Sequence, residues 1–200
     1  MVVRIRDGGI KLTKDNFGPQ RTLTSNAPMI LDATCSFSKN WPKHATIRID
    51  IRPECKPDIV MDAKDLKFPD NYFDEIYCDP PHYVGNKSNL TMVKLHHRLK
   101  GRTSPDPFTR YGWWNNNDDW FDFIKNTNIE FHRCLKPNGR LFYKITESNG
   151  CTKPLDLIER MLNFKMFKDE VKSTKSGYRS GKTHWITFIP ITLQKEGLEK

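Results

Sequence analysis

Apolar positions fall into short strand-like runs before residue 117 and into helical spacing just after it. Met29-Ile30-Leu31 is a brief apolar run closed by Asp32, which predicts a buried strand. Residues 45–51 (ATIRIDI) alternate and predict a second strand. Residues 58–61 (DIVM) predict a short third one. Residues 73–78 (FDEIYC) predict a fourth, stopped by Pro80 and Pro81, which have no N–H to give to a ladder. From 117 to 135 the apolar residues Trp120, Phe123, Ile124, Phe131, Cys134 and Leu135 recur at helical spacing. Asn117 is the expected N-cap, with Asp118 and Asp119 at the positive end of the helix dipole. Lys136-Pro137-Asn138-Gly139 is the expected stop. Residues 141–145 (LFYKI) predict a fifth strand. Residues 152–163 place Leu155, Ile158, Met161 and Leu162 on one face of a second helix. The chain then reads as two strands, near 166–174 and 183–191. The intervening Ser176-Gly177-Tyr178-Arg179-Ser180-Gly181 makes them an antiparallel pair.

Two stretches stand apart. Residues 1–28 look irregular, broken by Gly8, Gly9, Gly18 and Pro19. Residues 83–116 form a long connection rich in basic and aromatic residues, a length that in compact domains usually serves function. Strands alternating with connections and helices imply an α/β fold with a largely parallel sheet covered on both faces. Ligands of such sheets bind at the carboxyl ends of the strands, near the switch point. Asp32, Asp50 and Asp79 stand at predicted strand ends, and Asp62 follows the third strand. One acid there is an ordinary turn former; four in succession mark a binding edge.

The chain's 200 residues suffice for one domain with one core, so 1–200 is read as a single domain. With 36% hydrophobic and 28% charged residues it is a folding sequence, not a disordered one. No apolar run approaches the ~20 residues that span a bilayer. The first residues hold no apolar stretch fit for a secretion signal. The expectation is a cytoplasmic protein without membrane contact. Cys35, Cys55, Cys78, Cys134 and Cys151 are odd in number and lack CxxC spacing. They are expected as reduced, buried small hydrophobes, with no disulfide framework and no metal site. The formal charge of +9 favours a polyanionic partner.

The stretches ILDATCSFSKNWP, IRIDIRPE and DIVMDAKDLKFPDNYFDEIYCDPPHY, within roughly residues 29–190, resemble the cofactor-binding half of class I methyltransferases. Asp79-Pro80-Pro81-His82 resembles the DPP-aromatic motif of those that methylate amino groups. The resemblance implies a Rossmann-like, mostly parallel seven-stranded sheet with an antiparallel last strand and helices on both faces. It implies S-adenosyl-L-methionine as cofactor. It places Asp32, Ala33, Thr34, Cys35 and Ser36 under the methionine part of that cofactor. Asp50 and Ile51 fall at the ribose, Asp62 and Ala63 at the adenine, and Asp79 beside the methyl.

Chemistry gives the corner its purpose. An exocyclic base amine is a poor nucleophile, because its lone pair is delocalised into the ring. The Asp79 carboxylate and the Pro80 carbonyl are acceptors for its two N–H groups, and Pro80 and Pro81 stiffen the corner. Such contacts strengthen as positive charge grows on nitrogen. His82 and Tyr83 are expected to stack on the base. One departure is plain: where relatives carry loop glycines, this chain has Ser36-Phe37-Ser38, and positive φ costs serine more.

Within 83–116, Arg98, Arg102 and Arg110 are expected at phosphates and Trp113 and Trp114 at bases, accompanied by Lys94, His96, His97, Lys100 and Tyr111. The His96-His97 pair lacks a ligand pattern for a metal. Lys172, Lys175, Arg179 and Lys182 extend the basic character to the last hairpin. The leading expectation is transfer of a methyl group to an exocyclic amine of DNA or RNA, with a partner subunit or a homodimer helping to choose the target. The alternatives are a small-molecule or protein methyltransferase on the same fold, and a non-catalytic subunit that binds cofactor or nucleic acid.

Overall fold

A computed structural model describes residues 27–37, 41–85, 113–147, 152–176 and 179–191. Seven of the described segments pair into one sheet: β1 (Ile30–Asp32), β2 (Ile47–Asp50), β3 (Ile59–Val60), β4 (Phe73–Cys78), β5 (Leu135–Glu147), β6 (Phe164–Ser176) and β7 (Arg179–Pro190). Their order is β3-β2-β1-β4-β5-β7-β6. The first five are parallel, and β7 runs antiparallel to both β5 and β6. The chain winds outward from β1 to β3, then returns to place β4 against the other side of β1. The switch point therefore lies between β1 and β4, where the carboxyl ends open a crevice.

Period-two alternation sorts the two faces. Leu141, Tyr143 and Ile145 of β5, with Ile186 and Phe188 of β7, are buried on one face. The helix α1 (Asn117–Cys134) packs there through Trp120, Ile124 and Phe131. Thr127 donates to the Phe123 carbonyl at 2.8 Å and meets the Tyr143 hydroxyl at 3.0 Å, which satisfies both polar groups in the core. The shorter helix α2 (Pro154–Arg160) packs against α1, with Leu157 in the core and the Arg160 guanidinium 3.8 Å from the Phe121 ring centroid. On the opposite face Tyr77 stacks on Phe142 at 4.5 Å, and Trp41 meets Tyr77 and Trp185 edge-on.

Several boundaries differ from the sequence reading. Asn116, not Asn117, caps α1, its side chain accepting from the Asp119 N–H at 2.9 Å. Residues 136–139 do not form a free turn. The chain passes from α1 directly into β5, pairing Phe73 with Leu135 and Glu75 with Arg140, so 136–139 bulge opposite Asp74 alone. Gly139 allows this: a Cβ there would stand 2.7 Å from the Leu135 side chain and 2.9 Å from the Asp74 carbonyl oxygen. Helix α2 is shorter than 152–163, because the backbone leaves helical angles at Met161. Its buried residues are Pro154 and Leu157, while Leu155 and Leu162 are exposed. Of the four residues the apolar spacing selected, Met161 is buried and Ile158 packs against the core, as expected; Leu155 and Leu162 do not. The last hairpin is longer than expected, with β6 and β7 in register from Phe164↔Pro190 to Ser176↔Arg179. No helix among the described residues is long and apolar enough to cross a membrane.

Candidate functional site

The loops that leave β1 to β4 converge on a cleft of about 420 Å³. Ala33, Thr34 and Ser36 line it from the first loop, Asp50, Ile51 and Arg52 from the second, and Met61, Asp62, Ala63 and Lys64 from the third. Asp79 and Pro81 come from the end of β4. Trp113, Trp114 and Asn115, with Asp119, Asp122 and Phe123 of α1, close the other side. The lining carries five carboxylates against the cations of Arg52 and Lys64. Such a lining attracts a cationic or hydroxyl-rich ligand and repels a phosphate-rich one.

Asp32 lies beneath this cleft, 1% exposed, and ties its own loop by accepting the Thr34 N–H at 3.3 Å. Burial pushes its carboxyl up to about 7, and the Thr34 N–H opposes that shift. Its second oxygen has no hydrogen-bond partner among the described residues. Cys35 is buried and does not line the cleft. Ser36 adopts the positive φ of 52° that glycine favours. The strain costs roughly 1–2 kcal/mol. The Ser36 N–H donates to Asp50 Oδ2 at 2.9 Å, and a bond to a charged acceptor contributes about 1.5–3 kcal/mol. The serine therefore holds the glycine-like turn, with the carboxylate at the next strand end offsetting the strain.

Asp50 has little accepting capacity left. Besides Ser36, it accepts the Arg52 N–H at 3.0 Å, Nε at 3.1 Å and an Nη at 3.3 Å. Asp62 organises the third loop, accepting the Lys64 N–H at 2.9 Å. From that loop the Lys64 ammonium reaches Asp122 of α1 at 2.9 Å.

The Asp-Pro-Pro-His corner is pinned from three directions. The Asp79 N–H donates to Thr34 Oγ1 at 2.7 Å, which ties β4 to the β1 loop. Trp114 Nε1 donates to the Pro81 carbonyl at 2.8 Å. The Thr152 N–H donates to the His82 carbonyl at 2.8 Å. Just beyond, the Trp114 N–H donates to the Tyr83 carbonyl at 2.9 Å, and the Gly85 N–H to the Trp114 carbonyl at 3.1 Å. The two ends of the long connection are thereby clamped together at the cleft. Within the corner, Asp79 Oδ2 takes the Lys144 ammonium at 2.5 Å. His82 Nε2 stands 3.3 Å from Asp79 Oδ1 without forming a hydrogen bond. Burial pushes the imidazole below its ordinary pKa. The Asp79 carboxylate pulls it back up, and the Lys144 ammonium pushes it further down. At neutral pH the ring is uncharged.

No protein-family model matches the sequence, and no curated protein matches it either. Solved structures do match in shape. TrmN from Thermus thermophilus superposes with a TM-score of 0.50 at 13% identity, over 82% of this chain and 44% of that one. A SAM-dependent methyltransferase from Methanosarcina mazei gives 0.49 at 13% identity, over 84% and 94%. The PH0226 protein from Pyrococcus horikoshii gives 0.48 at 13% identity, over 84% of each chain. The likeness is one of fold, a seven-stranded, mostly parallel Rossmann-like sheet whose β7 runs antiparallel.

Within this fold most of the sequence-selected residues gather at one edge. Asp50, Asp62, Asp79 and Pro81 share the cleft with Trp113 and Trp114. Pro80 is buried behind it, and His82 and Tyr83 are half-buried beside it. The His82 ring lies against Asp79 rather than in the cleft lining, so its position suits an electrostatic neighbour better than a stacking platform. Arg98, Arg102 and Arg110 lie outside the described residues. Arg52, Lys64, Asp122 and Lys144 were not singled out in the sequence. Lys144 had a visible signal, a lone cation inside the apolar run LFYKI. Asp119 had been read only as a dipole partner. Among the described residues no cluster of three metal-type side chains occurs.

Proposed function

We propose that the chain is an S-adenosylmethionine-dependent methyltransferase whose acceptor is an exocyclic amino nitrogen of a nucleic-acid base. One observation carries the reading. Asp79, whose Oδ1 is buried without a hydrogen-bond partner among the described residues, lines the same acid-rich cleft as Asp50, Asp62 and the β1 loop. A buried acceptor without a donor costs roughly 1–3 kcal/mol, so a donor that takes the place of the His82 ring beside Oδ1 is favoured. The cleft volume falls within the range of cofactor sites, and its carboxylates suit a sulfonium cation.

When bound, that cofactor supplies an electrophilic methyl group. The chain's residues do the rest. Asp50 accepts ribose hydroxyls once the Arg52 side chain has turned away. Asp62 and the Ala63 backbone take the adenine edge, and Asp32 with Thr34 and Ser36 shapes the floor. The Asp79 carboxylate and the Pro80 carbonyl would accept the two N–H groups of the amine and orient its nitrogen toward the methyl donor. Both contacts strengthen as the nitrogen gains charge, so they favour the transition state. Arg98, Arg102 and Arg110 of the clamped connection reach phosphates, and Trp113 and Trp114 receive the base. A partner subunit or a second copy of the chain contributes to the choice of target.

Asp119 and Asp122 at the cleft favour a second reading, a small cationic amine as acceptor. Incubation with methyl-labelled cofactor and separate pools of DNA, tRNA, rRNA, protein and small amines distinguishes the two. Label in an N-methylated base supports the nucleic-acid reading, and label only in small amines replaces it. Asp79→Ala should abolish transfer while cofactor binding survives. Full activity in that variant contradicts the assigned chemistry.

A further inference from the structure

We infer that Lys144 is a positioning residue, which holds Oδ2 of Asp79 and so sets the direction of the carboxylate that meets the acceptor amine. The inference rests on the methyltransferase reading above. The register Cys78↔Tyr143 between β4 and β5 sets Asp79 beside Lys144 at the carboxyl edge of the sheet. Tyr143 and Ile145 point into the α1 face, so alternation sends Lys144 to the other face, where it pairs across the strand with Trp185. There its ammonium is 2.5 Å from Asp79 Oδ2 and 5.5 Å from the Trp185 ring centroid. The side chain is 24% exposed, which makes it a sheltered pair and not a surface one.

The choice of lysine matters. An arginine fork matches a carboxylate at both oxygens, whereas an ammonium is a point charge that takes one. Held by Lys144 at Oδ2, the carboxylate turns Oδ1 toward His82 Nε2, 3.3 Å away, with no hydrogen bond to Oδ1 among the described residues. The Asp79 backbone is fixed by its N–H bond to Thr34 Oγ1, which anchors the base of the side chain. The acceptor is thus preorganised before any amine arrives, which lowers the reorganisation needed in the transition state. The charged and titratable groups at this point are Asp79 just past β4, Cys78 at its end, Asp32 at the end of β1, His82 from the corner, Lys144 from β5 and, over the same Trp185 ring, Lys172 from β6.

The test compares wild type with Lys144→Met, and with Lys144→Gln should the first variant fail to fold. Two readouts are taken. The His82 ring is titrated by NMR without cofactor or substrate. Its pKa should rise in the variant, because the Asp79 charge is no longer opposed. Steady-state methyl transfer to the acceptor found in the pools should lose about tenfold or more in kcat, with KM for the cofactor within about twofold of wild type. A kcat equal to wild type, a loss confined to KM, or an unmoved His82 titration overturns the inference. An inactive wild type that binds no S-adenosylmethionine instead overturns the functional reading on which it rests.

Discussion

Replacing Arg52 with alanine exposes the exchange on which cofactor binding depends. In the free protein Asp50, 6% exposed, accepts two hydrogen bonds from the Arg52 guanidinium, whose side chain is 24% exposed. Breaking a fully buried ion pair costs about 3–5 kcal/mol. With a quarter of the arginine in solvent, the loss here is about 2 kcal/mol. At about 2–4 °C per kcal/mol for a chain of this size, Tm should fall by about 4–8 °C. Cofactor affinity should move the other way. On the proposed role of Asp50, the ribose hydroxyls must displace the guanidinium in wild type; in Arg52→Ala they meet an acceptor with empty positions. Since about 1.4 kcal/mol is tenfold, Kd should tighten by about tenfold or more. Thermal unfolding and isothermal titration with S-adenosylmethionine measure the two effects on the same samples. A weaker Kd would mean that Arg52 itself holds the cofactor. An unchanged Kd would mean that Asp50 is not the ribose acceptor. Either result refutes the reasoning.

Three further outcomes follow from the geometry. Asp32 titrates at about 7 in the fold, against 3.8 in the free side chain. Between those values the folded state holds a proton that the unfolded state has released, so stability falls as pH rises through that window and levels off above it. Asp32→Asn removes the effect, and its stability relative to wild type should grow by up to about 4 kcal/mol from pH 4 to pH 8 in urea melts; a pH-independent difference contradicts it. Gly139→Ala drives a methyl group into Leu135 and the Asp74 carbonyl, and should cost about 1–3 kcal/mol in the same assay. An unaltered midpoint there would mean that the β5 bulge relaxes freely. Trp114→Phe strips the Pro81 carbonyl of its 2.8 Å bond and should cost about 1 kcal/mol. No loss of stability would show that the corner does not depend on this anchor.

The site was more legible than its supports. Acids at successive strand ends and the Asp-Pro-Pro-His run are local signals, and the parallel sheet brings them together because each loop leaves at the same edge. Lys144 and Arg52 are different. A cation in a strand declares itself polar, but its partner depends on which strand lies beside it, and only the β4–β5 register supplies Asp79. Arg52 follows Asp50 by two residues, and its return onto that carboxylate belongs to a turn that composition does not encode. The misread stop at 136–139 has a similar cause. Pro137, Asn138 and Gly139 are turn formers, yet the flanking pairs Phe73↔Leu135 and Glu75↔Arg140 with β4 recruit them as a bulge at the start of β5. Ile158 and Met161 pack against the core as the helical period of α2 suggested, but Leu155 and Leu162 stay exposed and Leu157 is buried in their place.

The central claim is that the cleft at the β1–β4 switch point receives a methyl-donor cofactor with the Asp79 corner at its reactive end. Isothermal titration of S-adenosylmethionine into wild type and Asp79→Ala tests it most directly. The account predicts saturable one-site binding in both proteins, because Asp79 acts on the amine and not on the donor. Absence of binding to wild type at millimolar cofactor would contradict it.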